Sequence, residues 1–162
     1  MPKERPILFS GPMVKAILEG RKTMTRRVIK SDISSGFDVG HGPEDAKAGY
    51  PFVEDEYGNF HKATDFCPYG KPGELMWVRE TFGPGLGDNP TPTLGYVAYR
   101  ADGEYPARLK DTHVWRPSIF MPRWASRITL KITGVRVERL QDISEDDAIA
   151  EGAIPVSGFK SD

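Results

Sequence analysis

The segment 20–27, with the sequence GRKTMTRR, holds the densest group of chemically capable side chains in the chain. It carries four cations within seven residues, at the junction between a predicted helix and a predicted strand. Side chains alternate between the two faces of a strand, so Thr25 and Arg27 would line a cleft together while Met24 points to the core. Lys22 would then lie at the turn beside them. The alternative is a solvated basic turn whose cations stabilise the C-terminal end of the preceding helix.

A second candidate is Glu151, which lies in the last turn of a helix predicted to begin at Ser144 and to end at Gly152. A carboxylate at this end opposes the helix dipole, whereas the acidic residues at 145–147 lie at the favourable end. One unfavourably placed charge can mark a functional site. It can equally be an exposed glutamate that costs about 0.3 kcal/mol, and both interpretations stay open.

The passage 115–127 combines two tryptophans with three arginines and two prolines. Aromatic rings and guanidinium planes stack on exposed nucleobases, so Trp115 and Arg116 are candidates for ligand binding. Tryptophans beside prolines more often fill gaps in a core, and Trp124 is therefore predicted to be a core residue.

A further candidate, Arg79, lies inside the apolar strand predicted at 75–82. An ion in a strand this apolar needs a partner, so Arg79 is either a member of a structural ion pair or part of the cleft lining. The three histidines stand in separate polar loops without the spacing of zinc ligands, and no metal site is predicted.

Short strands and two short helices are predicted to position these candidates. The strands cover 6–9, 23–29, 75–82, 96–100 and 126–140, and the helices cover 10–20 and 144–152. The stretch 30–71 is rich in Gly, Pro and Asp and is predicted to be a long loop insertion. This pattern favours a mainly β, α+β fold that forms a small barrel or a strongly curled sheet.

Length and composition set broad limits. The chain has 162 residues, which predicts one domain spanning 1–162, and its Lys plus Arg total of 22 nearly balances 23 for Asp plus Glu. The single cysteine, Cys67, cannot form an internal disulfide, which fits a reducing cytoplasm. The N-terminus shows no apolar signal region and no stretch has the length of a membrane span, so a cytoplasmic chain is predicted.

The sequence resembles the ASCH family, whose fold is PUA-like. The family signature is a short helix ending in Gly-x-Lys-x-x-x-x-Arg, and it is matched by Gly20, Lys22 and Arg27. The larger ASCH proteins of bacteriophages and prophages are most similar. They share four further segments, 75–80, 99–102, 115–127 and 140–152. Because those relatives continue into a Trp-rich strand, the resemblance implies that this chain is truncated at its end or closes its barrel differently.

The resemblance also implies a chemistry. Smaller bacterial ASCH enzymes hydrolyse the amide of N4-acetylcytidine with a Lys, a Thr and a Glu, which match Lys22, Thr25 and Glu151 by motif. In that mechanism Lys22 takes the proton of Thr25, and Thr25 attacks the acyl carbonyl. Glu151 orients Lys22 or the exocyclic amine, and Arg27 stabilises developing negative charge.

The expected substrate-binding residues are Arg26, Arg27, Arg79, Trp115 and Arg116. The expected partner is a nucleoside or single-stranded RNA, bound by a monomer without any cofactor. Two other functions stay open: a binding module for RNA or modified nucleotides that performs no reaction, and a ribonuclease that uses the same cleft.

Overall fold

The computed structural model describes residues 2–28, 52–54, 60–62, 67–86, 91–93, 95–136 and 143–153. They form an α+β structure with several short strands and few helices. The strands are β1 (Glu4–Leu8), β2 (Phe52–Glu54), β3 (Phe60–Lys62), β4 (Leu75–Arg79), β5 (Phe82–Pro84), β6 (Val97–Tyr99) and β7 (Thr129–Lys131). The α-helices are α1 (Gly11–Leu18) and α2 (Glu145–Ala150). Single 3-10 turns cover Arg100–Asp102, Ala107–Leu109, Ser118–Phe120 and Arg123–Ala125.

The chain divides into two compact units, each assembled from three segments. Unit 1 comprises Met1–Ile7, Val28–Arg79 and Ser126–Asp142. Unit 2 comprises Leu8–Arg27, Glu80–Ala125 and Ile143–Asp162.

A three-stranded sheet in the order β1-β4-β7 forms the centre of unit 1. Strands β4 and β7 are antiparallel, with Met76 opposite Leu130. Ile128 and Ile132 are buried while Thr129 and Lys131 are exposed, which confirms the alternation that the sequence predicts for this strand. Strands β2 and β3 form a separate antiparallel pair.

Unit 2 contains the antiparallel pair β5 and β6 and both helices. Phe82, Met121 and Ala125 form a buried cluster against which Val97 and Tyr99 pack. The Tyr99 hydroxyl donates to the Ala125 carbonyl at 2.9 Å, so the polar end of this aromatic side chain is satisfied at the edge of the core.

Both helices follow their predicted boundaries closely. Ser10 occupies the N-cap position of α1, and Val14 and Ala16 are its buried residues. The Ser144 hydroxyl caps α2 by accepting from the Asp147 backbone N–H at 3.1 Å. Neither helix, nor any other in the described residues, is long and apolar enough to cross a membrane.

Several predicted strands differ from the structure. The described part of 23–29 contains no regular strand, because its first backbone N–H groups pair with the end of α2 and not with another strand. The apolar run 75–82 is divided into β4 and β5. The predicted strand 126–140 is reduced to β7, and its residues 137–140 lie outside the described ones.

Two further expectations need correction. The stretch 30–71 is not loop throughout, since it contains β2 and β3, although residues 30–51 lie outside the described part. Trp124 is 47% exposed and is therefore not a core residue, because the 3-10 turn that carries it buries Ala125 instead. Among the described residues, the three small sheets do not close into a barrel.

Candidate active site

Lys22 is buried directly after α1, with only 7% of its surface exposed. Its backbone N–H donates to the Ala16 carbonyl at 3.0 Å, which turns the chain sharply past Gly20 at a φ of 74°. The side-chain Nζ donates to two backbone carbonyls, that of Met24 at 2.6 Å and that of Glu151 at 2.8 Å. The amine is thus fixed between two segments that are remote in sequence.

The environment of Lys22 disfavours its charged form. Burial lowers the pKa of Lys22 below its ordinary value of 10.5, and the Arg27 cation lowers this pKa further, whereas the Glu151 carboxylate raises it. The Phe9 ring, whose centroid lies 5.6 Å from Nζ, makes a cation–π contact that favours the charged form but is outweighed by burial. Burial is the largest of these effects, so the net result is an amine that gives up its extra proton more readily.

The end of α2 is attached to the segment that follows Lys22. The backbone N–H groups of Thr23 and Met24 both donate to the Ala150 carbonyl, at 2.8 and 2.9 Å. Gly152 follows with a φ of 94°, and a Cβ at this position would lie 3.0 Å from the Ala16 Cβ and 3.3 Å from the Lys22 Cβ. The close approach of the two segments therefore requires glycine here.

Arg26 forms ion pairs with two carboxylates of α2. Its Nη1 lies 2.9 Å from Glu151 Oε1, and its Nη2 lies 2.9 Å from Asp147 Oδ2. Residues four apart in a helix lie on one face, so the two nitrogens of the planar guanidinium reach two successive turns. Glu151, which opposes the helix dipole, is compensated by this cation.

Thr25 and Arg27 contact each other. Arg27 Nη1 donates to Thr25 Oγ1 at 2.8 Å, and Arg27 Nη2 donates to the Leu8 carbonyl at 3.2 Å. Because Thr25 Oγ1 accepts this bond, its own hydroxyl proton can be donated to another acceptor. The nearby Arg27 cation also favours the negatively charged form of the Thr25 oxygen. The Arg27 guanidinium also lies 5.5 Å from the centroid of the Phe9 ring.

The structure therefore brings Lys22, Arg26 and Glu151 together in unit 2, with the Thr25–Arg27 pair on the same segment. Arg26 also bonds one carboxylate, Asp147, that the sequence placed among the acidic residues at the favourable end of the helix dipole. We call this the Lys22 cluster: Lys22, Thr25, Arg26, Arg27, Asp147 and Glu151. The missed member, Asp147, could have been found from its spacing of four residues from Glu151, which places both carboxylates on one helix face.

Arg79 lies in unit 1, whereas the Lys22 cluster lies in unit 2. Its guanidinium carbon lies 4.8 Å from the centroid of the Trp77 ring, and its buried Nε has no hydrogen-bond partner. Among the described residues Arg79 shows no ion pair, so the structural ion pair that the sequence left open is not seen, and the Trp77 ring supplies a cation–π contact.

Trp115 and Arg116 form their contacts within a different part of unit 2. The Trp115 ring stacks on Tyr105 with centroids 4.2 Å apart, and its Nε1 donates to Glu104 at 3.4 Å. Arg116 pairs through its backbone with Phe82, at 2.7 and 3.2 Å, while its side chain is exposed. One face of the indole is thus already occupied by protein.

The Lys22 cluster combines a buried amine, a hydroxyl polarised by a cation and a carboxylate held by an ion pair. General-base-assisted attack by a hydroxyl uses groups of these types, with the base within hydrogen-bond reach of the hydroxyl. Here Lys22 Nζ bonds two backbone carbonyls and Thr25 Oγ1 bonds Arg27. Within the described residues, no three His, Cys, Asp or Glu side chains group together as metal ligands. Comparison with protein-family models, with curated proteins and with solved structures finds no match to this chain.

Proposed function

We propose that the chain is an ASCH-type, PUA-like domain that acts on nucleosides in the cytoplasm of a bacterial or phage-infected cell. Its proposed reaction is hydrolysis of the amide in N4-acetylcytidine-type nucleosides. The observation that carries this proposal is the environment of Lys22: a buried amine with a lowered pKa that bonds two carbonyls, three residues before Thr25.

In the proposed reaction the neutral Lys22 amine removes the proton of the Thr25 hydroxyl as Oγ1 bonds to the acyl carbon. The tetrahedral oxyanion then collapses, and the bond between the acyl carbon and N4 breaks. The Lys22 ammonium returns its proton to N4, which leaves as the cytosine amine. Water finally hydrolyses the acyl ester of Thr25, with Lys22 again as base, and releases the carboxylic acid.

The remaining members of the cluster have electrostatic roles in this scheme. Arg27, which already donates to Thr25 Oγ1, stabilises the negative charge that develops on the attacking and carbonyl oxygens. Glu151 has one carboxylate oxygen bonded to Arg26, so its other oxygen can accept a hydrogen bond from the exocyclic N–H of the base.

The test is incubation of the purified protein with N4-acetylcytidine, with cytidine and acetate quantified by chromatography. We expect release of both products in equal amounts. Lys22→Ala and Thr25→Ala should each reduce the rate by about two orders of magnitude or more, because each removes a group that acts in the bond-making step. Lys15→Ala, which alters an exposed lysine of α1 outside the cluster, is the matched control and should retain the full rate.

Other outcomes distinguish the alternative functions. Salt-sensitive binding of single-stranded RNA without product release would favour a binding module, and shortening of labelled RNA would favour a ribonuclease. No cleavage of any acylated nucleoside by folded wild-type protein would refute the amidohydrolase proposal.

A further inference from the structure

The carboxylate of Glu151 and the amine of Lys22 are close neighbours that do not form an ion pair. Lys22 Nζ bonds the backbone carbonyl of Glu151, whereas Glu151 Oε1 bonds Nη1 of Arg26. Glu151 is the opposite charge that acts most strongly on Lys22, yet its carboxylate is bonded to a different cation, Arg26.

We propose that Arg26 is a positioning residue that holds the Glu151 carboxylate away from the Lys22 amine and so keeps that amine available as a base. This inference rests on the proposed function. It also replaces the expectation that Arg26 binds substrate, because its two terminal nitrogens are occupied by Glu151 and Asp147.

The geometry explains why an arginine is suited to this task. A guanidinium offers two nitrogens in a fixed plane, and here each bonds a carboxylate of a different helical turn at 2.9 Å. The pairs are partly buried, with about a quarter of the Arg26 side chain exposed, so solvent screens them incompletely. The bond to Asp147 restricts the position of the guanidinium, and the guanidinium in turn restricts the position of the Glu151 carboxylate.

Removal of Arg26 would release the Glu151 carboxylate, whose charge already acts on Lys22. An ion pair with Glu151 would favour the ammonium form of Lys22 and raise its pKa. The charged groups that shift the pKa of Lys22 are Glu151 at the end of α2 and Arg27 of the following segment. Among the other charged groups on these elements, Arg26 is paired with Asp147, and Glu19 with Arg21.

The direct test is an NMR titration of the Lys22 side chain in protein that carries isotope-labelled lysine. We expect the midpoint to move to higher pH in Arg26→Gln than in wild type. Arg26→Gln also removes a positive charge, so the same titration is repeated in the Glu151→Gln background. If Arg26 acts by holding the carboxylate, the shift caused by Arg26→Gln should be much smaller there.

Two further variants keep the test informative if Arg26→Gln weakens the fold. Arg26→Lys keeps the charge but has a single nitrogen that cannot bridge both carboxylates, and it should show an intermediate shift. Asp147→Asn removes one of the two carboxylates that hold Arg26 but leaves the Arg26–Glu151 pair, and it should shift the titration least.

Turnover of N4-acetylcytidine by Arg26→Gln at neutral pH should fall on the order of tenfold and recover as the pH rises.

Equal shifts in the wild-type and Glu151→Gln backgrounds would overturn the inference, since Arg26 would then act only as a nearby charge. A loss of turnover that does not recover at higher pH would also contradict it. An absence of turnover in wild-type protein would instead refute the proposed reaction. The NMR titration would still show whether Arg26 affects the pKa of Lys22 through Glu151.

Discussion

Lys22 donates a hydrogen bond to the backbone carbonyl of Glu151 at 2.8 Å, although the two residues lie 129 positions apart in the sequence. The bond joins the turn after α1 to the last turn of α2. It places a buried amine beside a carboxylate without forming an ion pair between them. The relationship underlies both the proposed chemistry and the predictions that follow.

The pH dependence of stability should reveal the buried amine. Because the pKa of Lys22 is lower in the folded chain than its ordinary value of 10.5, the unfolded chain binds more protons between those two values. Protonated Lys22 therefore costs stability below its folded pKa, and the cost is relieved as the pH rises toward 10.5. Denaturant unfolding should show wild type gaining stability relative to Lys22→Met across this window. A constant difference between the two proteins would count against a lowered pKa.

Gly152 should be intolerant of a side chain. Gly152→Ala places a Cβ in the left-handed region and 3.0 Å from the Ala16 Cβ, so we expect it to lower the free energy of unfolding by about 2–3 kcal/mol. Gly95→Ala is the matched control, because Gly95 also has a positive φ of 84° but has no atom within 4 Å of the added Cβ. It should cost only about 1 kcal/mol, from the backbone conformation alone. Equal losses would mean that close packing against Lys22 and α1 is unimportant.

The hydroxyl of Thr25 should matter more than its methyl group. Thr25→Ser keeps the oxygen that accepts from Arg27 at 2.8 Å, and we expect its rate of acetate release to stay within roughly tenfold of wild type. Thr25→Val keeps the shape but removes the oxygen and should lose nearly all turnover. Steady-state kinetics of the two variants separate these cases, and comparable activity in both would exclude Thr25 as the nucleophile.

The N-cap of α2 should affect stability without affecting chemistry. Ser144→Ala removes the oxygen that accepts from the Asp147 N–H at 3.1 Å, and we expect a loss of about 1 kcal/mol in the free energy of unfolding. The Asp147 carboxylate keeps its contact with Arg26, so kcat and KM should be unchanged. A large loss of activity in a folded Ser144→Ala protein would show that the whole helix, and not its carboxylates, sets the site.

Local signals in the sequence were sufficient for the two helices. Ser10, Pro12 and Gly20 mark the ends of α1, and Ser144 and Gly152 mark those of α2, because caps and positive-φ glycines act through neighbouring backbone groups. These signals involve only residues within one or two helical turns, so the helix ends can be predicted without knowledge of the tertiary structure.

The strand predicted at 23–29 was wrong for a reason that lies far away in the sequence. Thr23 and Met24 pair their backbone N–H groups with the Ala150 carbonyl, and nothing in the segment itself indicates that partner. The ion pairs of Arg26 were not predicted for the same reason, since its two carboxylates become neighbours only when α2 meets the segment. Lys22, Thr25 and Glu151 were grouped by family resemblance. The structure shows Lys22 bonded to the Glu151 carbonyl, whereas the side chain of Thr25 is bonded to Arg27.

The most direct test of the account is the rate at which the protein releases acetate from N4-acetylcytidine as a function of pH. We predict a rate that rises with pH through the titration of Lys22, with a midpoint equal to that of the NMR signal of this lysine, and that is lost in Lys22→Ala. Acetate release that is unaffected by Lys22→Ala, or no release at any pH by folded protein, would contradict the account.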